Sequence, residues 1–195
     1  MQREEILSIL SDSGALLKGH FILSSGLHSP QYLQCAQVQQ YPGRLAKLAG
    51  ALAEKWGRGE VTAVVGPALG GIVLAYELAR QLGARGLFME RDAEGTFAFR
   101  RGFTVASDDR LLVAEDVVTT GKSVKEVLEQ LSATDAEVVG VAGLVCRNKE
   151  IDFGVDYRYL IDFDIPTYAP EDCPLCKQGV PATKPGSRPE PKGAS

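Results

Sequence analysis

Apolar positions along the N-terminal quarter of the chain follow helical spacing. Ile6, Ile9 and Leu10 predict one face of a helix over residues 3–13, and a glycine follows it. A second helix is predicted over residues 42–56, with a proline in its first turn, where proline is well tolerated. The polar, aromatic-bearing segment between the two helices is predicted to be a loop.

From residue 61 onward, short apolar runs alternate with amphipathic segments. Strands are predicted for VTAVVG (61–66), GLFME (86–90), LLVAE (111–115) and EVVGVAGLV (137–145). The first of these strands is followed by a predicted helix, GIVLAYELARQLG (71–83), and the third by a helix with Val124, Val127, Leu128 and Leu131 on one face. Alternation of this kind implies right-handed crossovers. We therefore predict an α/β fold, with a mostly parallel central sheet flanked by helices.

Length and composition favour a single domain followed by a tail. The chain has 195 residues, of which 45% are hydrophobic, enough for one sizeable core. Six of its ten prolines lie after residue 169, and the last stretch, KPGSRPEPKGAS, has almost no apolar residues. We predict one domain over residues 1–169 and a loosely ordered, proline-rich tail over residues 170–195.

Charge and cysteine content narrow the class of partner. The net charge is −4, so no overall basic field attracts nucleic acid. No apolar run approaches the ~20 residues of a membrane span, and no signal peptide is evident. Four scattered cysteines do not form a disulfide framework. A cytoplasmic protein without membrane or nucleic-acid partners is expected.

The most informative stretch joins a predicted strand to a predicted helix. In LLVAEDVVTTGKS (111–123), two adjacent acids, Glu115 and Asp116, are followed by Val117 and Val118 and then by TTGKS. A helix N-terminus at the end of a parallel strand offers free backbone N–H groups to an anion. The hydroxyls of Thr119, Thr120 and Ser123, the small Gly121 and the charge of Lys122 suit a phosphate.

The two acids do not suit a phosphate, so they must face something else. Carboxylates can accept hydrogen bonds from sugar hydroxyls or coordinate a divalent cation. A ribose 5-phosphate satisfies both halves of the stretch. The alternative is a helix whose Thr and Ser residues only cap its N-terminus, but capping does not require two acids. No G-x-x-x-x-G-K precedes Ser123, so this is not a Walker A loop.

This stretch resembles the phosphoribosyl-diphosphate signature of type I phosphoribosyltransferases. The segment GHFILSSGLHSPQYLQC (19–35) resembles the hood of the orotate phosphoribosyltransferases, which covers the pyrimidine. The resemblance implies the type I fold with a small hood at about residues 14–40. It implies that Ser25, Gly26, Tyr32 and Thr119 contact orotate. The alternative is that the hood aromatics are edge-strand core and that its two histidines, the only two in the chain, are solvated.

Two further stretches fit the same family. GPALGGIVLA (66–75) resembles its diphosphate-binding loop, which implies that Leu69, Gly70 and Gly71 approach the diphosphate, although a tight crossover would also need glycine. Arg147 follows the strand that ends at Val145, where the orotate enzymes hold an arginine against the substrate carboxylate. A guanidinium matches a carboxylate with two parallel hydrogen bonds.

The basic residues of the family are partly missing. Ser24 stands where the hood commonly has lysine, and Leu69 and Gly70 stand where the diphosphate loop often has Tyr-Lys. The segment ERDAEGTFAFRRGF (90–103) has no lysine or histidine. Arg91 is the best match to the first basic residue of the family's mobile loop, and Arg100 and Arg101 are further candidates.

The ending CPLCKQGVPATKPGSR resembles that of a bacterial branch of the same enzymes. Cys173 and Cys176 form a C-x-x-C, which is half of a zinc site or a redox pair, but the sequence shows no second pair of ligands at suitable spacing.

The resemblance implies transfer of the 5-phosphoribosyl group from phosphoribosyl diphosphate to orotate, in pyrimidine (UMP) biosynthesis. It implies Mg²⁺ bound through the substrate rather than by direct protein ligands, and a homodimer with shared active sites. Glu115 and Asp116 are the predicted catalytic pair. Two alternatives stay open: a phosphoribosyltransferase for uracil or a purine, and a regulator on this fold that senses phosphoribosyl diphosphate without catalysis.

Overall fold

Strands and helices alternate along the chain to build a six-stranded sheet with helices on both faces. The structure is a computed structural model and describes residues 1–23, 25–57 and 59–185. Its helices are α1 (Arg3–Asp12), α2 (Ala36–Gln39), α3 (Pro42–Ala53), α4 (Gly70–Leu82), α5 (Lys122–Leu131) and α6 (Pro174–Lys177). Its strands are β1 (Leu16–Ile22), β2 (His28–Leu33), β3 (Ala63–Pro67), β4 (Arg85–Arg91), β5 (Phe97–Phe99), β6 (Arg110–Val118), β7 (Glu137–Cys146) and β8 (Tyr157–Asp162).

The central sheet has the strand order β5-β4-β3-β6-β7-β8. Only the short edge strand β5 runs antiparallel to its neighbour, and the other pairs are parallel. The predicted α/β class with a mostly parallel sheet is therefore confirmed. The order places β3, β6 and β7 side by side, so the chain segments that leave their carboxyl ends are neighbours.

The core divides into two layers because successive side chains of a strand point to opposite faces. On β3, Val64 joins the cluster formed with α1, α3 and α4, whereas Ala63 and Val65 join the cluster formed with α5. The four residues 111–114 of β6 are all fully buried. Burial on both faces explains why this strand is a continuous apolar run rather than an alternating one.

The segment between the first two helices is a hairpin, and the prediction of a loop there is wrong. β1 and β2 pair antiparallel, with a register irregularity between Lys18 and Phe21. Buried positions of β1 fall together at His20 and Phe21 instead of alternating. The irregular register removes the period of two by which a half-buried strand is recognised in sequence.

The C-terminal segment differs from the predicted loose tail over residues 170–185. It forms a turn and helix α6, and Cys173 is fully buried. Thr183 bridges to β1, with hydrogen bonds of 2.8 Å from the Ile22 amide to the Thr183 carbonyl and from the Thr183 amide to the His20 carbonyl. This segment finds its partners on the hairpin, which proline content alone does not reveal. The predicted tail over residues 186–195 lies outside the described residues.

The helices of the described ranges are short. None of them is long and apolar enough to cross a lipid bilayer.

Candidate active site

The carboxyl ends of β3, β6 and β7 carry the residues that the sequence singles out. β3 leads into α4 through a glycine-rich turn, β6 leads into α5 through TTGKS, and β7 ends one residue before Arg147. The Arg147 amide donates to the Val118 carbonyl at 2.8 Å, which fixes that arginine beside the start of the β6–α5 turn. One edge of the sheet therefore gathers all three segments, as expected for ligand sites in open parallel sheets.

The β6–α5 turn surrounds a small open cleft of about 60 Å³. Glu115 and the run Val117–Val124 line it. Within the described chain, the backbone N–H groups of Gly121, Ser123 and Val124 donate to no protein acceptor, as expected for the first turn of a helix. Gly121 has φ +71°, and a Cβ there would lie 2.9 Å from the Phe153 ring, so glycine is required. The cleft thus presents amides, hydroxyls and one lysine to an anion.

The two acids point in different directions from the end of β6. Glu115 lines the TTGKS cleft, while Asp116 faces the β3–α4 turn, where a Cβ on Gly70 would lie 2.9 Å from Asp116 Oδ1. Both side chains are partly buried. Neighbouring residues of a strand point to opposite sides, so adjacent acids can serve two parts of one ligand.

Burial changes the acidity of this pair. It raises the pKa of Glu115 well above the usual range of a glutamic acid, and the charge of Asp116 raises it further. Burial also raises the pKa of Asp116, against the lowering effect of hydrogen bonds from the Glu115 side chain and from Gln39. Burial and the neighbouring charge thus make simultaneous ionisation of the two carboxyls less favourable than it is in water.

Gln39 is a site residue that sequence reasoning missed. Its Nε2 donates to Asp116 Oδ2 at 3.1 Å and to the Gly70 carbonyl at 3.3 Å, so it ties the acid to the β3–α4 turn. It is buried at the end of α2. A glutamine in a short helix after the β1–β2 hairpin carries no sequence signal, because its role depends on a contact 77 residues away.

The β3–α4 turn packs so closely on β6 that it needs glycine. A Cβ on Gly71 would lie 2.7 Å from Pro67 Cδ and 2.8 Å from the Ala114 carbonyl. Leu69, by contrast, is 79% exposed and lies in the open beside the turn. The Ala68–Leu69 peptide bond is cis.

Arg147 and Tyr32 lie near each other, within range of the charge of Asp116. The charges of Asp116 and Arg147 both act on the Tyr32 hydroxyl, whose pKa is raised mainly by burial. Burial also lowers the pKa of the half-buried Arg147 guanidinium. Its Nε is fully buried and has no hydrogen-bond acceptor among residues 1–23, 25–57 and 59–185. A buried charged donor without a hydrogen-bond acceptor costs free energy of folding, so a ligand that supplies the acceptor would stabilise this arrangement.

The three arginines of the β4–β5 region hold different positions. Arg91 pairs with Glu126 of α5 and lies over the Phe97 ring at 4.1 Å. Arg101, with φ +59°, makes a two-pronged contact with Glu90 at 2.7 and 2.9 Å. Arg100 is exposed. Arg91 is linked to the β6–α5 turn through Glu126, which also contacts Lys122 at 3.8 Å.

The remaining hood residues lie at the tip of the hairpin, away from these contacts. Ser25 and Gly26 are exposed, and Gly26 has φ +83° in a turn closed by its 2.9 Å hydrogen bond to the Leu23 carbonyl. Among the described residues, neither of them hydrogen-bonds to Arg147 or Asp116. Ser24, where the family commonly has lysine, lies outside the described residues.

Comparisons with known proteins agree with this arrangement. The family described as phosphoribosyl transferase domain matches residues 34–165, more than half of the chain. The orotate phosphoribosyltransferase of Caldanaerobacter subterraneus subsp. tengcongensis is 49% identical over 189 residues, which cover 96% of this chain and 99% of that protein. The orotate phosphoribosyltransferase of Thermotoga maritima is 50% identical over 184 residues, which cover 94% of this chain and 98% of that protein.

The chain belongs to the phosphoribosyltransferase family, in its orotate phosphoribosyltransferase branch. A solved structure of the Aeropyrum pernix orotate phosphoribosyltransferase superposes with a TM-score of 0.64 at 25% identity, covering 80% of this chain and 93% of that one. The predicted family and its type I phosphoribosyltransferase fold are therefore confirmed. Residues 34–165 include both acids, TTGKS, the glycine-rich turn and Arg147.

Proposed function

We propose that this phosphoribosyltransferase transfers the 5-phosphoribosyl group from phosphoribosyl diphosphate to orotate, giving orotidine 5′-phosphate and diphosphate in UMP biosynthesis. The observation that carries the choice of base is the buried, unpartnered Nε of Arg147, next to Tyr32 and the end of β6. Uracil and purines have no carboxylate for a guanidinium to bind. Orotate has one, and two parallel hydrogen bonds would satisfy the fork of Arg147.

The 5-phosphate is proposed to bind in the TTGKS cleft. Residues of the first turn of α5 line it with amides that have no protein acceptor in the described chain, the hydroxyls of Thr119, Thr120 and Ser123 add donors, and Lys122 adds charge. The dipole of α5 favours an anion at the same place. This site fixes one end of the substrate.

Glu115 and Asp116 are proposed to hold the 2- and 3-hydroxyls of the ribose. Both lie near the end of β6, the strand that leads to the phosphate cleft, and their partial burial keeps them from being fully hydrated. Positive charge develops on the sugar as the leaving group departs, and negative potential from the pair stabilises it. The acids act here by position and charge rather than as nucleophiles.

The diphosphate is proposed to lie against Leu69, Gly70 and Gly71. Their turn contributes backbone groups and no charge. Arg91 is proposed as a diphosphate ligand once it exchanges Glu126 for the substrate, and Arg100 or Arg101 as further cations. The positive charge that balances the diphosphate must therefore come from side chains outside this turn.

Mg²⁺ is proposed as the cofactor, bound mainly through substrate oxygens. The nearby protein groups, Asp116 and Glu115, offer only oxygen ligands, which is the donor set that Mg²⁺ prefers, and the uncharged turn leaves diphosphate charge to be balanced. When bound, Mg²⁺ would offset the negative charge of the departing diphosphate.

In the reaction, the bond from C1 of the ribose to the diphosphate oxygen breaks with its electron pair leaving on the diphosphate, and the bond from N1 of orotate to C1 forms. Orotate attacks largely as an anion, so no strong general base is needed. The chain's own residues position the two partners: Arg147 and Tyr32 the base, with Thr119, Ser25 and Gly26 as further proposed contacts, and the cleft the sugar. Exclusion of water when the hood and loops close would supply much of the rate.

A homodimer with shared active sites is proposed from an apolar face that includes the start of α4. Leu69, Val73 and Tyr76 are 79%, 43% and 68% exposed, and a groove of about 350 Å³ lies between α4, β4 and Phe103. A second copy of the chain is the proposed occupant, because the face continues into the diphosphate turn at Leu69. The second copy would then bring side chains to the diphosphate.

We place the enzyme in the cytoplasm, where its four free cysteines would stay reduced.

The test is diphosphate release from phosphoribosyl diphosphate with orotate, uracil and hypoxanthine side by side. Release that depends on orotate alone is expected. Arg147→Lys should lower kcat/KM for orotate by ~10–100-fold, because a point charge replaces a two-pronged partner worth about 1.5–3 kcal/mol. The control is Arg80→Lys, on the last turn of α4, where the arginine only pairs with Glu77. Preference for uracil or hypoxanthine would favour a phosphoribosyltransferase for another base. Binding of phosphoribosyl diphosphate without release of diphosphate would favour a non-catalytic regulator.

A further inference from the structure

Four potential metal ligands meet where the C-terminal segment packs on the hairpin. They are His20 on β1, His28 on β2, and Cys173 and Cys176 at the start of α6. Their ligand atoms all lie within 4.8 Å of one another, and all but Cys176 are buried. The two residues that the sequence leaves without partners, the C-x-x-C pair, thus meet the chain's only two histidines.

The separations suit one tetrahedral zinc ion. Cys176 Sγ lies 3.3 Å from His28 Nδ1 and 3.8 Å from His20 Nε2, and Cys173 Sγ lies 3.5 Å from His20 Nε2. Zn–S bonds of about 2.3 Å and Zn–N bonds of about 2.0–2.1 Å at tetrahedral angles place nitrogen and sulfur ligands roughly 3.5 Å apart. The two histidine nitrogens are closer, at 2.7 Å, and need to separate by a fraction of an ångström.

The tautomer of His20 is already the one that a metal requires. Its Nδ1 lies 2.7 Å from the Val180 carbonyl, which can only accept a hydrogen bond, so Nδ1 carries the proton. The lone pair of Nε2 is then directed at His28 and the two sulfurs. A carbonyl that orients a histidine through its second nitrogen is the usual outer partner of a zinc ligand.

We propose that His20, His28, Cys173 and Cys176 bind a structural Zn²⁺ ion that fastens the C-terminal segment to the hood. Four protein ligands fill a tetrahedral ion and leave no position for substrate, which assigns the ion a structural role. A two-stranded hairpin is marginally stable by itself. The ion would add to the attachments that the hairpin already has to the segment that follows β8, which include β-bridges at Thr183 and Tyr168.

Zinc binding at the hood should also affect the orotate site, and this consequence rests on the proposed function. His28 and Tyr32 lie on the same strand, and Tyr32 is the hood residue next to Arg147. Loss of the ion should loosen the hood and raise KM for orotate more than KM for phosphoribosyl diphosphate. Metal content itself does not depend on which base the enzyme uses.

The experiment measures zinc per chain by mass spectrometry of the purified, reduced protein. One zinc per chain is expected for wild type, and its loss for Cys173→Ser and for His28→Gln. Cys146→Ala, a change at a buried cysteine on β7 outside the cluster, should keep the ion. Thermal unfolding of wild type with a strong chelator should show a lowered Tm.

Cobalt titration of the metal-free wild type covers the case in which a variant fails to fold. One Co²⁺ per chain with the intense visible bands of a tetrahedral thiolate site supports the proposal. A weak octahedral spectrum, no binding while both thiols are reduced, or a Cys173–Cys176 disulfide seen as a mass lower by two hydrogens would overturn it. Loss of zinc in Cys146→Ala as well as in Cys173→Ser would also count against the site.

Discussion

Replacing Gly70 by alanine should harm the kinetics of this enzyme more than its stability. Gly70 is the first residue of α4, and the added methyl would lie 2.9 Å from Asp116 Oδ1. Non-bonded atoms are most favourably placed at about 3.5–4.0 Å, so the carboxylate must retreat by at least about 0.6 Å, the difference between 3.5 and 2.9. The end of an aspartate side chain moves easily, and alanine favours the helix.

The magnitude follows from what that movement disturbs. Asp116 accepts hydrogen bonds from Gln39 Nε2 at 3.1 Å and from the Val117 amide at 2.8 Å. The flexible carboxylate can keep these bonds while it shifts, so little stability is lost, but misplacement of a positioning group by about 1 Å can cost ~100-fold in rate. We therefore expect kcat/KM for phosphoribosyl diphosphate to fall by ~10–100-fold, while Tm changes little.

The matched control is Gly50→Ala in α3. There the new methyl would meet Gln81 Oε1 at 3.6 Å, an ordinary contact, so the helix should gain about 0.5–1 kcal/mol and the kinetics should not change. Steady-state diphosphate release and thermal unfolding of both variants make the comparison. Unchanged kinetics in Gly70→Ala, or equal losses in both variants, would refute the proposed contact between the diphosphate turn and the acid.

Three further predictions concern the acids and the apolar face. Glu115→Gln combined with Asp116→Asn should lower kcat by ~10–100-fold while circular dichroism shows an intact fold, since two charge-assisted contacts to the ribose are lost; undiminished turnover would exclude their role. Burial raises the folded-state pKa of Glu115 above the unfolded value of about 4.3. The contribution of this residue to the free energy of unfolding is therefore fully present below about pH 4.3 and is lost as the pH rises through the folded-state pKa. The Tm of the single variant Glu115→Gln should therefore gain on that of wild type as the pH rises above about 4.3, and a constant or shrinking difference would contradict this. Tyr76→Arg should convert a dimer into a monomer in sedimentation analysis, and a wild-type monomer would contradict the dimer.

The four inner strands of the sheet, β4, β3, β6 and β7, could be predicted because each is a short apolar run, and the helices between them because each has an apolar face at helical spacing. The edge strands β5 and β8 were not predicted. β6 is recognisable as a buried run followed by acids and a glycine turn, and the stripe of Val124, Val127 and Leu131 places α5 after it. A phosphate site at that turn follows from chemistry that is local in sequence. The resemblance to a known family added the base and the hood, which no local pattern specifies.

The contacts that complete the site were out of reach because they join distant segments. Gln39 reaches Asp116 across 77 residues, and His20 reaches Cys173 across 153. Each partner alone is a common residue in an ordinary setting. The hairpin was missed for a related reason, since its irregular register and its burial by the C-terminal segment erase the alternation of a regular strand.

The central claim is that the β6–α5 turn binds the 5-phosphate while the neighbouring acids bind the ribose hydroxyls. A crystal structure of the protein soaked with orotidine 5′-phosphate tests it most directly. We expect the phosphate within hydrogen-bond distance of the amides of residues 119–123, the ribose hydroxyls on Glu115 and Asp116, and the base carboxylate on Arg147. A phosphate bound elsewhere, or acids that do not contact the sugar, would contradict it.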